Sequence, residues 1–423
     1  MFFISSQMRQ QCQHIEQKLK AQNIQSVGLW IEDTYQFTCV LLACLKTNIT
    51  VLLPPNLLAE NQHWVEANAD LFITETNLGQ FISEQIRENR VDSVPYLDAD
   101  NITPILLKTS GSTGNAQIIP RTASQLYKEV YALSQMLPFE RGSQVTVLGS
   151  VSVQHLYGLT FRVFFPLIMG WQLGTKQHLY PETLVAETHQ YEKVVWVTSP
   201  TLLNNMNLAI LDPIKSQFVG IFSSGGALPE NTAQSVQNKV GFPVTEIYGS
   251  SETGGIALRC GHSFWKPFLG VEIGQNEQGE LWVQSPWIDA REQTKDIVEI
   301  EQGKFNLLGR ADRIVKLGDK RISLVKIEQD LLKHLWVEDC YLGLHPEYQR
   351  PVAWIALSAM GKQQLLADRK LLINQLKQYL AQSQEKLALP RFWRFSDRLP
   401  RNSQSKIKRI DFEKICMEPV DEF

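Results

Sequence analysis

Cysteine is scarce and never closely paired. Cys12, Cys39, Cys44, Cys260, Cys340 and Cys416 are scattered over 423 residues, which excludes the tight spacings of a zinc knuckle or a dithiol motif. Cys39 and Cys44 fall in an apolar run, where a free thiol behaves as a small hydrophobe. Basic excess is missing too: the formal net charge is −3, so no general field draws in nucleic acid. A local basic patch could still meet a carrier protein or an anionic cofactor. Long apolar runs are also lacking. The opening "MFFISSQMRQQ" turns polar too soon for a signal peptide, and "GLTFRVFFPLIMGW" carries Arg162 and Pro166 and is too short to span a bilayer. There is no internal repeat and no low-complexity tract. A soluble cytoplasmic protein is the expectation, with enough chain for two or three domains.

What is present alternates. "SVGLWIED", "ITVLLPP", "ADLFITET", "PILLKTS", "QVTVLGS", "KVVWVTSP" and "FVGIFSS" are short apolar runs, most of them followed by helix-capable segments such as "TYQFTCVLLACLKTN". Apolar strands between helices predict a parallel sheet covered on both faces. "GELWVQSP" and "KFNLLGR" alternate instead, as in a small antiparallel element. After "GRADR" the texture becomes that of a compact α+β unit, joined by a charged linker at 310–313.

Two segments carry chemistry. "LKTSGSTGNAQIIP", Leu107 to Pro120, follows a strand and gathers small and hydroxyl residues. Gly111 and Gly114 permit unusual backbone angles. Thr109, Ser110, Ser112 and Thr113 offer hydroxyls and N–H groups to an anion. The stretch is neither a Walker loop nor a dinucleotide fingerprint, since the closing lysine and the glycine spacing are missing. Alone it leaves a phosphate cradle and an ordinary Ser/Gly turn both open. "VTEIYGSSETGG", Val244 to Gly255, again runs from a strand into small residues and contains Glu252, a carboxylate suited to magnesium. Tyr248 offers a flat face for a base.

In this order the two segments resemble the motifs of the adenylate-forming superfamily, which includes acyl-CoA synthetases, luciferases and peptide-synthetase adenylation domains. "GELWVQSP", "TKD" at 294–296, "GRADRIVKLGDKRISLVKIE" and "NSQSKIKR" are similar to four further motifs of that family. The matches extend from Thr109 to Arg409. A narrower similarity is to ligases of aryl-polyene and related pigment clusters.

The resemblance implies a large amino-terminal AMP-binding α/β domain over 1–309, with parallel sheets covered by helices. A small mobile α+β carboxy-terminal domain would occupy 310–423, with Asp312 as the hinge. Relatives commonly have more residues before the first strand. The amino-terminal domain is therefore expected to be shortened, or the recorded start to lie inside a longer protein. The implied reaction uses ATP and magnesium to convert a carboxylic acid to acyl-AMP with release of pyrophosphate. The acyl group then passes to a phosphopantetheine thiol, of an acyl carrier protein by preference or of coenzyme A.

By the same resemblance, Thr109, Ser110, Gly111, Ser112, Thr113 and Gly114 cradle the β- and γ-phosphates. Thr253 touches the α-phosphate and Glu252 carries magnesium. Tyr248 and Gly249 face adenine opposite Gly225, Gly226 and Ala227. Asp296 holds the ribose, Arg310 the ribose and phosphate side, and Lys406 bridges the reacting carboxylate and α-phosphate. His155 lies beside the substrate carboxylate, with Trp196, Thr198, Gly225 and Ile256 lining the acyl pocket. Two residues depart from the family pattern: Gln117 stands where a lysine is common, and Lys295 where a glycine is. The acid is expected to be aromatic, such as a hydroxybenzoate or a cinnamate-like acid. A medium-chain fatty acid–CoA ligase, a non-catalytic nucleotide-binding protein on a ligase scaffold and an oxidase of the luciferase kind are the alternatives.

Overall fold

The computed structural model describes residues 2–83, 94–109, 117–261, 263–317, 320–401 and 407–418. The packing forms two compact units, Met1–Glu272 with Val283–Glu292, and Ile273–Trp282 with Gln293–Phe423. Residue 310, where the sequence suggests a boundary, ends a strand inside the second unit.

The first unit is built on two sheets. A five-stranded sheet has the order Leu71–Thr74, Ser26–Trp30, Thr50–Leu53, Pro104–Lys108, Ile118–Thr122. Its pairs are parallel except for the last, which is antiparallel. A seven-stranded sheet has the order Lys266–Pro267, Gly254–Cys260, Thr245–Ser250, Phe218–Ser223, Val194–Thr198, Thr146–Gly149, Gln172–Gln177. Its strands are parallel from Thr245–Ser250 onward, and the first two pairs are antiparallel.

Burial explains why the sheet strands read as unbroken apolar runs. Every residue of Val194–Thr198 is buried. Val195 and Val197 pack into a core shared with the five-stranded sheet, whereas Val194 and Trp196 pack into a second core with Leu184, Leu211 and Val236. A strand covered on both faces has no polar side to alternate with. The helix Thr34–Lys46 follows the same logic: its start is capped by Asp33, whose carboxylate accepts from Gln36 N at 3.0 Å, and it is buried nearly all round. Cys39 and Cys44 lie inside that helix as free thiols in the core.

Arg162, on the helical segment Leu159–Phe164, is a buried cation. Its guanidinium donates to Val151 O (2.6 Å), Lys176 O (2.7 Å) and Thr34 Oγ1 (2.9 Å), and burial lowers its pKa to about 10. Three acceptors offset part of the cost of taking the charge out of water.

The second unit holds most of a four-stranded sheet ordered Glu272–Gln275, Glu280–Gln284, Glu292–Glu301, Lys304–Arg310. The alternating "GELWVQSP" and "KFNLLGR" form two of its strands, as the pattern predicts. A hairpin, Ile314–Leu317 with Lys320–Ser323, precedes the helix Leu324–Leu332. A three-stranded sheet, Val337–Leu344, Pro351–Leu357 and Phe392–Ser396, packs with the helix Arg369–Leu380 around Ile327, Leu342, Ile355 and Leu376. Among the described residues no helix is long and apolar enough to cross a membrane.

Candidate active site

Four parallel strands of the seven-stranded sheet deliver their carboxyl ends to one edge. They finish at Gly149, Thr198, Ser223 and Ser250, and the loops beyond carry His155, Gly225, Gly226, Ala227, Glu252 and Thr253. In open α/β sheets this edge is where ligands bind. Thr198 Oγ1 donates to Phe222 O at 2.8 Å, and Ser224 Oγ donates to Ile247 O at 2.8 Å. These bonds lock neighbouring strand ends, so Gly225, Gly226 and Ala227 emerge exposed from a fixed base.

Glu252 lies in the turn between Thr245–Ser250 and Gly254–Cys260. Ser250 Oγ accepts from the backbone N–H of Glu252 and of Thr253, both at 3.2 Å. Thr253 Oγ1 accepts from Ser250 N at 3.0 Å and donates to Gly254 O at 2.8 Å. Thr253 is therefore buried, with its hydroxyl engaged inside the turn. The glycines are steric requirements. A Cβ on Gly249 would lie 2.1 Å from Gly254 O, and Gly254 has φ +69° with Glu129 Oε2 2.6 Å from a would-be Cβ.

Three residues outside the sequence motifs hold this turn. Arg121 Nη2 donates to Ser251 O at 2.7 Å and Glu252 O at 2.6 Å. Trp287 Nε1 donates to Thr253 O at 3.2 Å, and Glu129 Oε1 accepts from Gly255 N at 2.8 Å. Burial drives the Glu129 carboxyl up to about 7, against the opposing pull of the Gly255 N–H and Arg121. The exposed side chain of the turn is Glu252.

The glycine-rich loop leaves and re-enters the five-stranded sheet through a closed neck. Thr109 N donates to Gln117 O at 2.8 Å, and Gln117 N donates to Thr109 Oγ1 at 3.0 Å. Ser110, Gly111, Ser112, Thr113 and Gly114 lie outside the described residues. The chain returns as the antiparallel strand Ile118–Thr122, which carries Arg121. Strand and acid-bearing turn thus meet directly.

Tyr248 is backed by a ladder. Its ring lies 5.4 Å from Trp265, Arg259 stacks 4.4 Å from Trp265, and Arg259 makes a two-pronged bond to Glu246 at 2.8 and 2.9 Å. Glu246 also accepts from Leu228 N at 3.4 Å, which joins the ladder to the loop bearing Gly225–Ala227. His155 precedes the short helix Leu156–Gly158, which packs on the strand Gly254–Cys260. Burial lowers the His155 pKa to about 4, so the imidazole is neutral at physiological pH and keeps one N–H to donate. Ile256 is buried on that same strand.

Trp196 is not brought to this edge, and its expected place in the pocket lining is corrected here. The side chain is fully buried, with its indole N–H donating to Thr188 Oγ1 at 2.9 Å and Phe218 packed on its ring at 4.7 Å. Alternation along the strand turns it into the helix-covered core. Asp296 and Arg310 belong to the second unit, as partners across adjacent strands with an ion pair at 3.8 Å. Within its strand Thr294 accepts from Asp296 N and donates to Leu281 O, and the departing Lys295 is exposed. Asp312 falls in the short helical turn Ala311–Arg313. Lys406 lies outside the described residues.

Among the described residues no cluster of three or more His, Cys, Asp or Glu is placed to hold a metal. A cation here would rest on Glu252 together with phosphate and water oxygens. That donor set suits magnesium, which keeps its waters and takes one or two carboxylates beside a substrate phosphate.

Known proteins agree with this architecture. Residues 83–288 match the family model for AMP-binding enzymes. Along nearly the whole chain the fold is that of an anthranilate CoA ligase, AuaEII, solved with anthranoyl-AMP (TM-score 0.80, 18% identity, 97% of this chain and 91% of that one). It is equally that of a benzoate CoA ligase from Burkholderia xenovorans (TM-score 0.78, 18% identity, 96% and 93%). In sequence the chain is 24% identical over 434 residues to the 2-succinylbenzoate–CoA ligase of Bacillus pumilus, covering 91% of this chain and 87% of the relative. The chain is thus similar to AMP-binding enzymes in sequence over residues 83–288 and in fold over nearly its whole length.

Proposed function

We propose that the protein is an ATP-dependent acid–thiol ligase that activates an aromatic carboxylic acid as acyl-AMP and passes the acyl group to coenzyme A. One observation carries the reading most: Arg121, on the strand leaving the glycine-rich loop, bonds directly to the turn that presents Glu252. A loop able to wrap phosphates and a carboxylate able to hold their metal are thereby held together in one unit.

In this reading a carboxylate oxygen attacks the α-phosphorus, and the bond to the pyrophosphate oxygen breaks. The thiol sulfur then attacks the acyl carbon, losing its proton as AMP departs. Magnesium, when bound, neutralises phosphate charge as it shifts to the leaving group. Glu252 holds that ion, and the 109–114 loop receives the β- and γ-phosphates through backbone N–H groups. Tyr248, braced by Trp265, stacks on adenine opposite Gly225–Ala227. Thr253 acts through its turn, since its own hydroxyl is engaged there. Neutral His155 donates to the substrate carboxylate without adding a charge that would trap it. Asp296 and Arg310 serve the ribose, and Lys406 joins them when the segment from 310 onward rotates about Asp312.

The aromatic acid is supported by relatives that act on benzoate, anthranilate and 2-succinylbenzoate. The same relatives are CoA ligases, so coenzyme A replaces carrier-bound phosphopantetheine as the favoured acceptor. Nothing in these likenesses supports the narrower aryl-polyene role. The test is pyrophosphate release with 4-hydroxybenzoate, cinnamate and octanoate. Each active acid is then offered with free coenzyme A and with a phosphopantetheinylated carrier. The aromatic acids should lead and coenzyme A should be acylated. A wide margin for octanoate would overturn the aromatic assignment, and no release with any acid while ATP still binds would overturn the ligase.

A further inference from the structure

We infer that Arg121 is a positioning residue that fixes the Glu252 turn to the strand leaving the glycine-rich loop, with Glu129 and Trp287 securing the rest of the turn. This rests on the reading of Glu252 as the magnesium carboxylate and adds how that carboxylate is aimed.

Within 250–255, the N–H groups of Ser250, Glu252 and Thr253 are taken by Thr253 Oγ1 and Ser250 Oγ. The carbonyls of Ser251 and Glu252 go to Arg121, that of Thr253 to Trp287, and the N–H of Gly255 to Glu129. The clamping residues come from three places in the chain: the strand Ile118–Thr122, the helix Ala123–Ser134 and the segment after Val283. Two of them are buried ionisable groups, Arg121 at 5% and Glu129 at 3% exposure.

Burying a guanidinium is costly unless hydrogen bonds and opposite charges offset the lost water. Arg121 spends one nitrogen on two carbonyls of the turn, Ser251 O and Glu252 O, while Nε has no partner among the described residues. Glu129, Glu252, Asp289 and Glu292 surround it and sustain its charge against desolvation. Thr109 and Gln117 close the loop's neck four residues before Arg121. Any shift of the neck therefore travels along one strand into the carbonyls flanking Glu252. The outcome is that the strand leaving the neck and the turn bearing Glu252 are held to each other at Arg121. Supports of this kind set ligand orientation and affinity without touching the metal.

The experiment is calorimetric titration of the full-length protein with ATP, with and without magnesium, for wild type, Arg121→Met, Arg121→Lys, Glu252→Gln and the Arg121→Met/Glu252→Gln double variant. Arg121→Met should lose about tenfold or more of the magnesium-dependent gain in ATP affinity while keeping metal-free ATP binding. Arg121→Lys should recover part of it. In the Glu252→Gln background, Arg121→Met should change affinity by less than about twofold, because both act on one interaction. A lower melting temperature with an unchanged magnesium gain would overturn the role, as would losses that simply multiply. Should Arg121→Met fail to fold, Trp287→Phe removes one bond from the same turn and must show the same loss in smaller measure, or the inference falls. A wild-type magnesium gain in Glu252→Gln would remove the metal role of Glu252 itself, and this inference with it.

Discussion

Glu129 makes the stability of the first unit depend on pH in a way that one substitution should erase. The carboxyl is buried on the helix Ala123–Ser134, and its pKa is raised from 4.5 to about 7. The native state therefore holds this proton across a window in which the unfolded chain has released it. Its stabilising contribution is fully present below 4.5 and is lost as pH rises through about 7. At about 1.4 kcal/mol for each pH unit, the window is worth about 3.5 kcal/mol, net of the Gly255 N–H and Arg121, which favour the charged form. Glu129→Gln keeps an oxygen to accept from Gly255 N but cannot titrate. Urea unfolding of both proteins, followed by tryptophan fluorescence at intervals from about pH 5 to about pH 8, reads the difference. Wild type should lose stability relative to Glu129→Gln on going from acid to alkaline pH, so that the amide variant is the more stable near the upper end. Parallel curves would show that Glu129 titrates normally and that burial does not govern it.

Two further outcomes test the reaction. Lys406→Ala should lose orders of magnitude in acyl-adenylate formation yet still transfer a supplied acyl-adenylate to the thiol; Lys408→Ala, at an exposed position before the helix Arg409–Met417, should be mild. Equal losses in both half-reactions, or a larger effect at Lys408, would defeat that assignment. His155→Ala should raise the KM for the acid far more than for ATP, and with an imidazole pKa near 4 the wild-type rate should show no His155 titration between about pH 6 and about pH 8. A selective loss of ATP binding would reverse its placement.

Local pattern was enough for the skeleton. The runs "VVWVT" and "FVGIFS" are strands because covered faces demand apolar side chains on both sides, and the alternation in "GELWVQ" marks a sheet with unlike faces. The acid-bearing turn was legible because its small residues answer local steric demands, as Gly249 and Gly254 show. Which side of a strand faces which layer is not a local property. Trp196 looked like a pocket wall, but strand register turns it into the core.

The same limit hid Arg121 and Glu129. A charged residue in "IIPRT" or "QLYKEV" reads as solvated surface, and no short-range signal says otherwise. Only the closure of two sheets onto each other places that guanidinium against carbonyls some 130 positions away and puts that carboxylate beneath Gly255. The sequence by itself determined the elements, their order and the chemistry carried on their turns, because backbone angles and apolar periodicity act over a few residues. The tertiary structure alone decided which polar groups are buried, what they grip and how they titrate, because desolvation and hydrogen-bond geometry depend on atoms brought from distant parts of the chain.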